Sequence, residues 1–92
     1  MKQIIMKVNG YDVCVNYHEL TSFEERLVDT TVGSLKGLAI ALSKNYFKEN
    51  SNNKQKSFPV HLSNDIIAYY NIESYNLHYK FIKLNVTNIV KW

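Results

Sequence analysis

The sequence predicts an α+β fold: an N-terminal β-hairpin, one long helix, straight or kinked, and then two or three strands with a short helix. We expect two layers and a mostly antiparallel sheet. Apolar residues alternate on both sides of Asn9-Gly10, recur with helical spacing from Phe23 to Tyr46, and alternate again in two later segments. Alternation is typical of strands with one buried face, and spacing of three to four residues is typical of an amphipathic helix. A chain of 92 residues is expected to form one domain.

Asn9-Gly10 marks the turn of the predicted hairpin. Asn-Gly favours a two-residue type I′ turn, because both central residues of that turn need positive φ. A two-residue turn fixes the strand register and pairs Val8 with Tyr11. The other face is polar apart from Ile5 and Cys14, which this register places opposite each other. The expected core face consists of Ile4, Met6, Val8, Tyr11, Val13, Val15 and Tyr17.

The helix is expected to begin at Ser22, because Ser22-Phe23-Glu24-Glu25 has the form of a capping box. Its helical phase continues through residues 30–33, which favours one helix to about Lys48, although Ser34 could cap a second helix. The apolar residues on its predicted core side are Phe23, Leu27, Val28, Leu35, Leu38, Ala39, Ala41, Leu42 and Tyr46.

Residues 48–57 contain no apolar side chain and are expected to form a mobile polar loop. Phe58, Val60 and Leu62 then alternate as a short strand, which Pro59 restricts to a sheet edge. A short helix is then predicted, capped by residues Ser63 to Asp65 and ending at about Asn71.

From Tyr75 the alternation returns, and its change of phase after Phe81 predicts a β-bulge or a strand apolar on both faces. The order of hairpin and then helix resembles that of β-grasp folds over about half of the chain.

The formal charge of +3 is unevenly distributed, since residues 31–92 contain eight lysines and three acidic residues. Lys, Asn, Ile and Tyr account for 36 of the 92 residues, a bias typical of AT-rich coding sequence. The basic charge therefore has two explanations, codon bias or an anionic partner. The single cysteine and the lack of a signal-peptide-like run favour a cytoplasmic location.

The candidate catalytic and metal-binding residues lack the spacing that such chemistry requires. Cys14 and His18 lie about 13 Å apart along one strand, too far for a nucleophile and its base. The order of residues from Gly33 to Gly37 differs from that of a phosphate-binding loop. We therefore expect neither enzymatic activity nor a cofactor or metal. The histidines and acid considered as metal ligands, without supporting spacing, are His18, Glu19, His61 and His78.

The function expected from the sequence is that of a small non-enzymatic protein-binding module. Apolar residues and glycines lie where the helical and strand patterns predict exposed faces, and such faces mark interaction sites. The partner is expected to be a protein, with a homodimer and a phage- or mobile-element-encoded inhibitor of a host protein as specific hypotheses. The interface candidates are Gly33, Gly37, Ile40, Lys44 and Phe47 on the helix, and Ile5 and Cys14 on the hairpin.

Nucleic-acid binding is the alternative function. Lysines can neutralise phosphates and tyrosine rings can stack on bases, a combination used to bind single strands. The candidates are Lys44, Lys48, Lys54 and Lys56 around the polar loop, and Tyr75, Tyr79, Lys80 and Lys83 near the late strand.

Overall fold

The computed structural model describes residues 1–49 and 57–92, and shows an α+β fold in these ranges. The strands form one mixed sheet in the order β1-β2-β5-β4-β3, in which β2 and β5 run parallel and the other neighbours run antiparallel. The elements are β1 (Lys2–Val8), β2 (Tyr11–Tyr17), α1 (Ser22–Thr31), α2 (Leu35–Glu49), β3 (Phe58–His61), β4 (Ile66–Asn76) and β5 (Phe81–Lys91).

The predicted hairpin register is confirmed. Val8 pairs with Tyr11, Met6 pairs with Val13, and Ile5 lies opposite Cys14. Asn9 and Gly10 have φ values of 53° and 79°, as a turn with two left-handed central residues requires. The seven hairpin residues that are expected to form the core are all buried or packed against the buried cluster.

The prediction of one continuous helix is wrong, because the helix is interrupted at residues 32–34, between α1 and α2. Gly33 has a φ of 84°, a left-handed conformation that stops the helix. The N–H groups of Val32 and Gly33 both donate to the carbonyl of Val28, at 2.9 and 3.1 Å. Ser34 Oγ then accepts from the N–H of Gly37 at 3.0 Å, so Ser34 caps the second helix.

The N-terminal cap of α1 lies one residue earlier than predicted. Thr21 Oγ1 accepts from the N–H of Glu24 at 3.1 Å, and Glu24 Oε1 accepts from the N–H of Thr21 at 3.0 Å. Leu27 and Val28 are buried as expected, whereas Phe23 is 55% exposed and does not belong to the core. The sequence offers two overlapping capping boxes, and the local pattern alone does not distinguish them.

The predicted short helix after residue 63 is wrong, because Ile66–Asn76 is strand β4. Ser63 and Asp65 lie instead in the turn between β3 and β4, where Ser63 Oγ donates to Asp65 Oδ1 at 2.9 Å. Ile66 and Ile67 are both buried, on opposite faces of β4. Two adjacent apolar residues are also common in amphipathic helices, which explains the incorrect prediction.

The change of phase near Phe81 also has a different cause from the one predicted. Residues 77–80 form a turn between β4 and β5, so the phase changes because the chain reverses there. The register shifts between β4 and β5 lie elsewhere, between Tyr69 and Tyr70 and between Ile72 and Ser74.

The core lies between the inner face of the sheet and the two helices. The buried residues of α1 and α2 form one cluster with inward side chains of all five strands. At the centre of β1, Ile4 and Met6 are only partly buried and pack at the margin of this cluster. Tyr70 Oη donates to Asn45 Oδ1 at 2.8 Å and ties α2 to β4. The opposite, outer face of the sheet is not covered by either helix, which leaves that face and the sheet edges as the places for a site.

Candidate functional site

The free edge of β1 is the first candidate surface. Within residues 1–49 and 57–92, β1 pairs with β2 alone. The Val8–Tyr11 pair that closes a two-residue turn exchanges both backbone hydrogen bonds, and bonded and non-bonded pairs then alternate along the hairpin. The N–H and C=O groups of Gln3, Ile5 and Lys7 therefore point away from β2, toward the free edge.

Ile5 is the central side chain of this edge and is 72% exposed. Charged side chains lie only toward the ends of β1: Lys7 Nζ is 4.0 Å from Asp12, and Lys2 Nζ is 3.7 Å from Glu19. Charges at an edge discourage pairing with another strand. The segment between these lysines, residues 3–6, carries no charge and leaves the middle of β1 available for pairing.

Three asparagine side chains form a hydrogen-bonded row across the centre of the outer face. Asn16 Nδ2 donates to Asn85 Oδ1 at 2.9 Å, and Asn85 Nδ2 donates to Asn71 Oδ1 at 3.0 Å, which links three adjacent strands. Asn16 is only 3% exposed. We define these three residues as the amide row. Because its amides bond to each other, it is a structural element of the outer face.

The amide row has no local signal in the sequence. The three asparagines are far apart along the chain and align only when β5 lies between β2 and β4. The parallel pairing of β2 with β5 has no local sequence signal, because a crossover can return to either side of a hairpin.

Cys14, predicted as an interface residue beside Ile5, is buried. Its thiol lies 3.9 Å from Asn16 Oδ1, within the limit for a weak hydrogen bond to sulfur. Of the two hairpin residues proposed for an interface, Ile5 alone is accessible.

Lys83 also lies on the outer face, but it already has an anionic partner. Its Nζ is 3.1 Å from Glu73 Oε2, at a register shift that brings Glu73 toward β5. The hydrogen bond to Glu73, together with its charge, raises the pKa of Lys83 above the ordinary lysine value. Lys83 is therefore less available to a phosphate than the sequence suggested.

The helix residues predicted to form an apolar interface are partly explained by contacts within the chain. Ile40 and Phe47 pack against the core, and the Phe47 ring lies 5.0 Å from that of Tyr11. A Cβ at Gly37 would collide with the carbonyl oxygen of Val32, so this glycine permits a close approach within the chain. Gly33 has the left-handed conformation that ends α1, and Lys44 is exposed. The expectation that Ile40 and Phe47 face outward is therefore corrected.

The residues of the nucleic-acid hypothesis are only partly brought together. Tyr75 and Tyr79 are exposed at the end of the β4–β5 hairpin, next to Lys80. The carbonyl of Lys80 accepts from the N–H of Asp12 at 2.8 Å, which holds this turn beside the start of β2. The other lysines are distributed differently: Lys44 and Lys48 are exposed on α2, Lys83 lies on the outer face, and Lys54 and Lys56 fall outside the described residues.

An open depression of about 500 Å³ lies on the outer face near β3 and is lined by Ser57, Tyr69, Thr87, Asn88 and Val90. None of these lining side chains carries a formal charge. Among the residues that the structure describes, no group of three or more His, Cys, Asp or Glu side chains is placed to hold a metal ion.

Comparisons with known proteins give no relative: no family model matches the chain, and no curated protein or solved structure is significantly similar to it. Neither helix in the described part of the chain is both long and apolar enough to span a membrane.

Proposed function

We propose that this chain is a small non-enzymatic protein-binding module whose partner adds a strand to the free edge of β1. The observation that carries the proposal is the uncharged centre of β1, where Ile5 is 72% exposed and its backbone N–H and C=O, like those of Gln3 and Lys7, point away from β2. In strand addition, main-chain hydrogen bonds supply affinity and alternate side chains supply specificity. Both components are present at this edge.

Ile5 is the specificity element of this proposal. Fully burying an isoleucine side chain is worth about 1.5–3 kcal/mol, and a partner strand beside β1 would cover much of it. The helices form a second layer on the inner face and leave the edge accessible. Lys2 and Lys7 bracket the edge, so a partner strand with like charges at those positions would be disfavoured.

The hypothesis of an inhibitor encoded by a phage or another mobile element, acting in the cytoplasm, is a narrower form of this proposal. It is supported by the AT-rich residue bias and by the single cysteine. The identity of the bound protein tests it.

Capture of binding partners tests the proposed surface. A tagged copy is incubated with lysate of cells that also make the untagged chain, once with and once without nuclease treatment, and bound proteins are identified by mass spectrometry. Ile5→Lys should abolish capture, because a lysine would be forced into a desolvated contact. Phe23→Lys is the matched control, since Phe23 is 55% exposed on α1, and should leave capture unchanged.

The result separates the hypotheses. Equal capture by wild type and Ile5→Lys would show that β1 is not the contact surface. Capture that disappears on nuclease treatment of the lysate, in wild type and both variants, would favour nucleic-acid binding instead.

Nucleic-acid binding is retained as a second candidate because Tyr75, Tyr79 and Lys80 are exposed together at the β4–β5 turn. Stacking and phosphate contacts at this turn would give an affinity that falls steeply with salt. Absence of binding to single-stranded DNA and RNA oligonucleotides at low salt would eliminate this candidate.

A further inference from the structure

We propose that the strand added to β1 is β1 of a second copy of this chain, which pairs antiparallel about a two-fold axis at Ile5. This inference rests on the proposed function and specifies its partner. It follows from the order of residues along the free edge, where the outward backbone groups belong to Gln3, Ile5 and Lys7.

The register of the pairing follows from these backbone groups. Antiparallel strands exchange hydrogen bonds between residues at matching positions. With Ile5 opposite Ile5 of the second copy, Gln3 lies opposite Lys7 of the second copy, and every outward N–H and C=O of the three residues has a partner. A register shifted by two residues leaves the outward N–H and C=O groups at one end of each strand without a hydrogen-bond partner.

The side chains are self-complementary in the same register. On the outer face the two exposed Ile5 side chains lie next to each other, and each covers the other. On the inner face Ile4 lies opposite Met6 of the second copy, two apolar residues that are only partly buried in the single chain. Each Lys7 faces a neutral Gln3, so no like charges are opposed.

The dimer would contain one continuous sheet of ten strands, five from each copy. Paired residues of neighbouring strands point to the same face, so the two-fold axis is perpendicular to the sheet. The helices of both copies therefore lie on the same side, and the outer faces join into one surface.

Charge substitutions at Gln3 test the register. In the single chain Gln3 lies opposite the neutral Asn16, so Gln3→Glu and Gln3→Lys should affect the fold similarly. In the dimer residue 3 faces Lys7 of the second copy, twice by symmetry. Gln3→Glu should lower the dimer dissociation constant several-fold, and Gln3→Lys should raise it by a similar factor. Light scattering of the purified chain at a series of concentrations measures the change from the 10.8 kDa monomer.

Disulfide trapping tests the two-fold axis. Bonded cross-strand pairs have Cα atoms about 5.5 Å apart, within the range of a disulfide. Ile5→Cys, combined with Cys14→Ala to remove the neighbouring thiol, should form a disulfide-linked dimer under mild oxidation. Gln3→Cys with Cys14→Ala is the matched control, since the two residues 3 lie about 14 Å apart in this register and should not cross-link. Thermal melting under reducing conditions verifies that both variants fold.

Each outcome has one meaning. A monomeric mass for wild type with no cross-link at residue 5 overturns the second copy as partner, and equal cross-linking at residues 3 and 5 overturns the register. If the pure chain is monomeric while Ile5→Lys still abolishes capture of another protein, the inference fails and the proposed function stands. If neither self-association nor capture depends on Ile5, both fail.

Discussion

The two edges of the sheet differ in how open they are to another strand. β3 has four residues, and Pro59 lacks an N–H, so this edge is short and is missing a donor at its centre. β1 has seven residues, contains no proline, and carries an exposed isoleucine at its centre. Proteins commonly block edge strands with prolines, charges or short strands. Here those devices are concentrated at β3, whereas at β1 the lysines lie only toward the ends.

The difference shows that edge protection is achieved residue by residue. Pro59 can be accommodated only because a residue at that position of β3 does not need to donate to β4. The same rule distinguishes neighbouring positions of β1: the N–H of Ile5 points outward, and the N–H of Met6 points to β2. Substitutions can therefore close the β1 edge without breaking the hairpin.

The largest effect is expected when proline is placed at these two positions. Met6→Pro removes a hydrogen bond to Val13 and leaves a carbonyl without its donor, which should cost on the order of 3 kcal/mol of unfolding free energy. Ile5→Pro removes an outward donor and should leave the melting transition cooperative while abolishing self-association. Urea unfolding measures the first effect and light scattering the second. Equal destabilisation by both prolines would show that the hydrogen-bond alternation along β1 is assigned incorrectly.

A smaller loss of stability is expected from the amide row between the two edges. Asn85→Ala breaks both of its hydrogen bonds and leaves the buried Nδ2 of Asn16 without its acceptor, which should cost about 1–3 kcal/mol. Asn71→Ala removes one bond at a half-buried end and should cost less. Urea unfolding of both variants compares them, and a larger loss for Asn71→Ala would contradict the central role of Asn85.

Opening the β3 edge should have a smaller effect on stability. Pro59→Thr restores a donor and a residue favourable in strands, with a change in unfolding free energy of about 1 kcal/mol or less. In the Ile5→Pro background, where β1 is closed, the added donor should produce concentration-dependent association detectable by light scattering. A strictly monomeric double variant would show that proline is not what protects β3.

The smallest effect is expected from the ion pair of Lys83 and Glu73. Because the folded state raises the pKa of Lys83, the pair stabilises the fold below the ordinary lysine pKa of about 10.4, and this contribution disappears as pH rises through the raised pKa. The stability difference between wild type and Glu73→Gln should thus be constant at mildly alkaline pH and shrink above it. Urea unfolding across this pH range measures it, and a difference that grows with pH would refute the assignment.

The parts of the fold that were predictable have local causes. Asn9-Gly10 determines the turn, and the turn determines the register of β1 and β2. The sequence favours one helix over two, with Ser34 as the alternative second cap, because α1 and α2 bury their apolar residues in the same core and the periodicity continues across Gly33. The sequence of β4 has the apolar spacing of a short helix because Ile66 and Ile67 are buried on opposite faces of the strand.

The candidate site was predictable only in part, for a related reason. Ile5 was recognisable from sequence as an apolar residue on a polar face. Its position at a free edge depends on the strand order, in which β5 joins β2 and leaves β1 outermost. That order comes from long-range packing and has no signature within the hairpin.

The pairing of β2 with β5 also has a kinetic consequence. Asn16 and Asn85 are 69 positions apart, so the contact that completes the sheet requires closure of a long loop. A hairpin forms in about 1–10 μs, whereas folds dominated by such distant pairings complete in milliseconds to seconds. Until β5 arrives, β2 is itself an unprotected strand edge. The early hairpin is thus exposed to aggregation on both sides during folding, and the rate at which β5 docks limits how long that exposure lasts.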